Sequence, residues 1–197
     1  MSKTLIISFL PREGSNTAKL VDAFKQAAGD ATEIVERKLD NGSIPMINEI
    51  AMKTWWGPAT ENEVETASAE FIDELKAADN IIVATPMYNW SMPAPVKAWF
   101  DLVIRGGQTF EFGESGPKGL LDAQNAAIFV TTGMTAVGGE SDHLTPVATT
   151  GFGMMGIKNN SIVGASELMI VGEDESASRM DRAVEEAKAL AKKWFAN

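Results

Sequence analysis

The chain has 197 residues, a formal net charge of −10 and a sequence pI near 4.6, a length suited to a single domain spanning residues 1–197 with a full hydrophobic core. Cysteine is absent, which excludes disulfides, thiolate nucleophiles and cysteine-bearing metal sites and is compatible with the reducing cytoplasm. The acidic balance argues against nucleic acid as a main partner, because phosphate binding needs concentrated Lys and Arg.

The segment from Met1 to Ser8 carries one basic residue and a short apolar run that soon meets Pro11 and charges, a pattern of neither a signal peptide nor a membrane anchor. No other run approaches the roughly 20 apolar residues of a spanning helix. Residues 4–9 read as a first strand, and from Ser15 a helix begins with Leu20, Val21, Phe24, Ala27 and Ala28 on one face. Residues 32–39 alternate as a less buried strand does. Helical spacing returns over 61–78 through Val64, Ala67, Phe71, Ile72 and Leu75. Residues 80–84 (Asn-Ile-Ile-Val-Ala) read as a strand, its short apolar run the mark of a parallel strand covered on both faces. After the turn Thr85–Pro93, Val96, Trp99, Phe100 and Val103 define another helix. Residues 125–131 and 159–165 read as the fourth and fifth strands. A closing helix runs from about Ser176 to Phe195 on the stripe Met180, Ala183, Val184, Ala187, Leu190, Ala191 and Trp194.

Strands alternating with helices require crossovers, so they form a parallel sheet. The expected fold is a flavodoxin-like, three-layer α/β sandwich whose five-stranded sheet has the order 2-1-3-4-5. Two stretches, 40–60 and 106–122, are longer than that fold needs, and excess loop in a compact domain is often functional. The first carries Trp55-Trp56; the second contains Thr109-Phe110-Glu111-Phe112, which alternates as a short hairpin strand does.

Three loops carry chemistry. Ser8 to Thr17 leads from the first strand to a helix N-terminus, where free N–H groups and the dipole favour a phosphate and Ser15, Asn16 and Thr17 add side-chain donors. This loop has neither GxxxxGK[ST] nor GxGxxG; on the residues alone, Ser15 also reads as a plain helix cap. The turn Pro86-Met87-Tyr88-Asn89-Trp90 is stiffened by proline and offers planar faces with one amide, which suits a flat heteroaromatic ligand. Thr131-Thr132-Gly133-Met134 follows the fourth strand. His143 has neither a second His nor a Cys beside it to share a metal and reads as an ordinary residue near a helix start. Phe152, Met154 and Met155 among Gly151, Gly153 and Gly156 read as close helix packing.

With these loops in order, together with Leu75-Lys76-Ala77-Ala78-Asp79, Lys97-Ala98-Trp99-Phe100-Asp101, Arg105-Gly106-Gly107-Gln108-Thr109-Phe110 and Gly116-Pro117-Lys118-Gly119-Leu120-Leu121, the chain resembles the FMN-dependent NADH azoreductases of the NAD(P)H:quinone oxidoreductase superfamily. The resemblance implies FMN as cofactor, with Ser8, Ser15, Asn16 and Thr17 at the ribityl phosphate. Pro86, Met87, Tyr88, Asn89 and Trp90 would lie against the isoalloxazine ring, and Thr131, Thr132, Gly133 and Met134 beside its pyrimidine edge. Family members usually have Ser-Arg-Gly-Gly at that last loop, so Thr132 stands where the arginine would be. The chemistry it implies is hydride transfer at the flavin N5 from NADH or NADPH to a quinone or azo compound, in ping-pong order and with no protein residue acting as catalyst. It also implies a homodimer with the site at the subunit interface, walled by Trp55, Trp56 and Phe110, although these aromatics equally suit plain packing. Two rival expectations share the fold: a flavodoxin-type electron carrier without turnover, and a flavin-free relative.

Overall fold

A computed structural model describes residues 1–39, 44–56, 62–114 and 116–196. In chain order it contains β1 (Ser2–Ser8), α1 (Asn16–Ala28), β2 (Thr32–Lys38), α2 (Glu49–Trp56), α3 (Glu63–Lys76), β3 (Asn80–Pro86), α4 (Ala94–Val103), β4 (Phe110–Gly113), β5 (Gly116–Gly119), β6 (Asn125–Thr131), α5 (Thr145–Met155), β7 (Asn159–Ala165) and α6 (Glu173–Trp194). The main sheet is parallel, ordered β2-β1-β3-β6-β7. Numbering only its five strands makes this the expected 2-1-3-4-5 arrangement.

Side-chain alternation along each strand splits the core in two. Leu5, Ile7, Ile81, Val83 and Ile128 pack against α3, α4 and α5. Ile6, Ile82, Ala84 and Phe129 face α1 and α6, where Phe24 meets Phe129 and Trp194 edge-on at 5.8 and 5.4 Å. With both faces covered, the central strands need no polar alternation, which is why they stand out as apolar runs.

Several boundaries differ from the pattern-based expectation. The closing helix begins at Glu173, because Glu173, Asp174 and Glu175 occupy its first turn, where carboxylates complement the dipole. α3 begins at Glu63, capped by Asn62, whose Oδ1 accepts the N–H groups of Val64 and Glu65 at 3.1 Å each. The 40–60 stretch holds a short helix that periodicity missed, α2, whose Ala51 N–H donates to Asn48 Oδ1 at 3.0 Å.

The hairpin expected near Phe110 is present as β4 and β5. Its second strand, Gly-Pro-Lys-Gly, carries no strand signal of its own. Its conformation follows from docking: a Cβ on Gly119 would lie 2.1 Å from the Gly156 nitrogen, so only glycine permits this approach to the end of α5. Gly151 likewise lets α5 approach Phe100 and Ile104, with a virtual Cβ 3.1 Å from both.

Candidate functional site

The carboxyl ends of β1, β3, β6 and β7 converge on a pocket of about 510 Å³. It lies where connections leave neighbouring strands in opposite directions, the natural crevice of such sheets. Its wall comprises Pro11, Arg12, Ser15, Asn16, Pro86 to Trp90, Thr131 to Thr135, Leu168 and Met169.

The first wall is the amino end of α1. Ser15 sits at the N-cap position, yet its side chain makes no capping hydrogen bond; only its carbonyl is used, accepting the Ala18 N–H at 3.1 Å. Among the described residues the N–H groups of Asn16 and Thr17 have no acceptor, as expected for a first helical turn. Together with the Ser15 hydroxyl and Arg12 they form a compact donor set for an anion.

Two expected residues, Ser8 on β1 and Thr17 on α1, are turned away from the pocket. Ser8 shares the face of Ile6, so its hydroxyl is buried and donates to Glu36 Oε1 at 2.7 Å. Burial pushes the Glu36 carboxyl up, but hydrogen bonds from Lys25 and Ser8 outweigh this and hold it below the usual range. Thr17 is also buried, its hydroxyl paired with that of Thr131 at 2.7 Å. Neither Ser8 nor Thr17 is part of the pocket wall; both position the strand ends beneath it.

The second wall is a tight turn. Tyr88 and Ser91 exchange both backbone hydrogen bonds at 3.0 Å, and the central residues Asn89 and Trp90 have φ of 48° and 66°. This is a type I′ geometry, which favours glycine at the position of Trp90. A bulky residue held there is backbone strain that the surroundings maintain. The Trp90 and Tyr88 side chains remain 57% and 45% exposed.

The surroundings are a loop that sequence reasoning passed over. Asp142 is buried and accepts N–H groups from Gly138, Leu144 and Thr145 at 2.8, 2.9 and 2.9 Å, plus the Thr145 hydroxyl at 2.6 Å. Burial pushes its carboxyl up, but these donors prevail and hold it below the usual carboxylate range. The loop so fixed presents the His143 N–H to the Trp90 carbonyl at 2.9 Å. His143 therefore supports the turn through its backbone. An Asp three residues ahead of Thr145-Pro146, at a helix start, was the available signal.

The third wall pairs two loops. Thr132 donates its hydroxyl to the Thr135 carbonyl and accepts the Glu167 N–H at 3.0 Å. Its carbonyl accepts from Leu168 at 3.1 Å, while that of Gly133 accepts from Met169 at 2.8 Å. Thr132 thus joins the two loops, and its hydroxyl is committed within the protein. Among the described residues the N–H groups of Gly133 and Met134 have no acceptor. Leu168 and Met169 were missed because no motif marks them, although every loop leaving the carboxyl edge of such a sheet is a candidate.

The remaining aromatics lie elsewhere. Trp55 stacks under Arg105, whose guanidinium is 4.5 Å from the ring centroid, and its Nε1–H donates to Glu65 at 2.8 Å. Arg105 also bonds Glu65 and Ser68, so Trp55 locks α2 onto α3. Phe110 is nearly buried and packs edge-on against Phe112 at 5.4 Å. Neither contributes to the pocket wall within this chain. Trp56 ends α2, and its side chain lies outside the described residues. Among those residues there is no helix long and apolar enough to cross a membrane and no cluster able to hold a metal ion.

Comparison with known proteins agrees with this architecture. The profile of a family described as having a flavodoxin-like fold matches residues 2–191. The chain is 35% identical over 197 residues to an FMN-dependent NADH:quinone oxidoreductase of Shewanella loihica, covering 96% of this chain and 100% of that protein. Its fold resembles that of an azoreductase from Bacillus anthracis, at 22% identity and a TM-score of 0.88, covering 98% of this chain and 100% of that one. An FMN-dependent NADH-azoreductase of the same species, solved in complex with FMN, superposes with a TM-score of 0.85 at 20% identity, over 99% and 100% of the two chains.

Proposed function

The chain belongs to the flavodoxin-like family of FMN-dependent NADH:quinone oxidoreductases and azoreductases, and we propose that it uses FMN, bound among the three walls, to pass a hydride from NADH to a quinone or azo acceptor. The donor set suits that cofactor. One end of the pocket offers helix N–H groups, a free serine hydroxyl and one arginine for a phosphate; the other offers exposed rings and unpaired backbone donors for a flat heterocycle. Bound FMN supplies the redox chemistry, accepting two electrons as hydride and releasing them to the acceptor.

The protein binds and tunes. Ser15, Asn16 and Arg12 hold the phosphate, while Pro86 to Trp90 form a rigid platform for the ring. The N–H groups of Gly133 and Met134 would serve as fixed donors to the flavin's polar edge, and donors there would favour its reduced state. Backbone groups perform this task, so Thr132 in place of the usual arginine leaves it intact. Arg12 is the one cation on the pocket wall among the described residues and is assigned to the FMN phosphate, which favours NADH over NADPH. The whole chain acts as one domain, in the cytoplasm where NADH is supplied.

The active form is a homodimer. Its support is an exposed apolar groove between α4 and α5, formed by Phe100, Ile104, Pro146, Val147 and Met154. α4 begins directly after the ring-binding turn, and α5 directly after the loop that holds Trp90. A second copy on this groove would border the pocket, and Val147→Glu should yield monomers on gel filtration.

The observation that carries the reading is the uncommitted Ser15 hydroxyl beside free helix N–H groups, facing an exposed Trp90. Purified protein should be yellow with FMN and should oxidise NADH catalytically on addition of a quinone. Flavin binding without NADH turnover would instead identify an electron carrier.

A further inference from the structure

Two methionines stand out at the pocket mouth. Met134 and Met169 are 69% and 79% exposed, although both are large apolar side chains on the rim of a pocket. Met169 lies across Gly133, where a Cβ would be 2.6 Å from its sulfur. The Met169 N–H is also bonded to the Gly133 carbonyl. Trp90 and Tyr88, also exposed, line the same pocket. The polar groups suited to phosphate lie on α1.

Unbranched thioethers adapt to irregular apolar surfaces and interact favourably with aromatic rings. From this arrangement, and resting on the oxidoreductase reading above, we infer that Met134 and Met169 form an adaptable lip that selects fused-ring acceptors over single-ring ones. A two-ring quinone would offer these thioethers a second ring that a one-ring quinone lacks.

The test uses FMN-loaded wild-type protein, Met169→Ala, the Met134→Ala/Met169→Ala double variant and Met169→Leu, which keeps an apolar side chain of similar volume. Dissociation constants for 2-methyl-1,4-naphthoquinone and 1,4-benzoquinone are measured on the oxidised holoprotein, and that for FMN on the apoprotein. Met169→Ala should bind the naphthoquinone about three- to tenfold more weakly while benzoquinone and FMN change less than twofold, the double variant should bind the naphthoquinone more weakly still, and Met169→Leu should stay near wild type. Methionine methyl resonances, assigned through the variants, should shift at positions 134 and 169 on adding naphthoquinone. An equal loss for both quinones, a matching loss of FMN affinity, or no change at all would overturn the selection role. Absence of NADH turnover with either quinone would refute the enzyme reading separately, since the binding and resonance measurements do not depend on turnover.

Discussion

Trp90 offers the sharpest test of the site's geometry, because one residue carries both a backbone demand and a ring. Its φ of 66° disfavours an L-residue by about 1–2 kcal/mol. Replacing Trp90 by Ala removes the ring and keeps the backbone demand; replacing it by Gly removes both. The comparison between the two variants cancels the lost ring burial. Glycine gains relief of about 1–2 kcal/mol and loses about 0.4–1 kcal/mol through its freer unfolded chain. Trp90→Gly should therefore be about 1 kcal/mol more stable than Trp90→Ala, the reverse of the order in a helix or strand. For a chain of this length that separates the melting temperatures by about 2–4 °C, readable by calorimetry on the apoproteins. Both variants should bind FMN or quinone about two- to tenfold more weakly, from a lost stacking contribution of about 0.5–1.5 kcal/mol. A Trp90→Ala protein as stable as Trp90→Gly would refute the type I′ turn, and unchanged binding in both would refute the ring's role.

Other perturbations probe the supports. Asp142→Ala leaves several buried donors without an acceptor and should cost about 2 kcal/mol at neutral pH by urea denaturation. Because the folded carboxyl titrates below its ordinary value, that advantage is fully present above the unfolded value near 4. It should fade as pH falls through the folded value, so the gap between wild type and variant closes in acid. Gly119→Ala forces a Cβ into the Gly156 backbone and should cost about 3 kcal/mol, seen as a melting temperature lowered by roughly 6–12 °C. Thr132→Val removes the hydroxyl that joins the Thr135 carbonyl to the Glu167 N–H. It should cost about 1–2 kcal/mol and weaken FMN binding, measured by recovery of free flavin fluorescence.

What the residues determined unaided were features with a local or periodic cause. β3 and β6 are apolar runs because both sheet faces are covered, and α1 and α6 show one-sided stripes because each packs on a single face. Alternation of strand and helix then left few topologies, and the observed order is the expected one. The three candidate loops were legible for the same reason, since they follow strands whose carboxyl ends converge on one pocket. Tertiary structure decided everything that depends on direction or on distant partners. Strand parity turned Ser8 toward Glu36, and the packing of α1 on the sheet turned Thr17 toward Thr131, away from the pocket. Contacts remote in sequence placed Trp55 beneath Arg105 and seated the Gly-Pro-Lys-Gly strand against α5. Asp142 became a support for Trp90, and Thr132 a bridge to the loop bearing Met169. Local pattern records which face of the chain is apolar. Which polar group meets which is decided only when elements from opposite ends of the chain close on one another, and most of this site is built from such meetings.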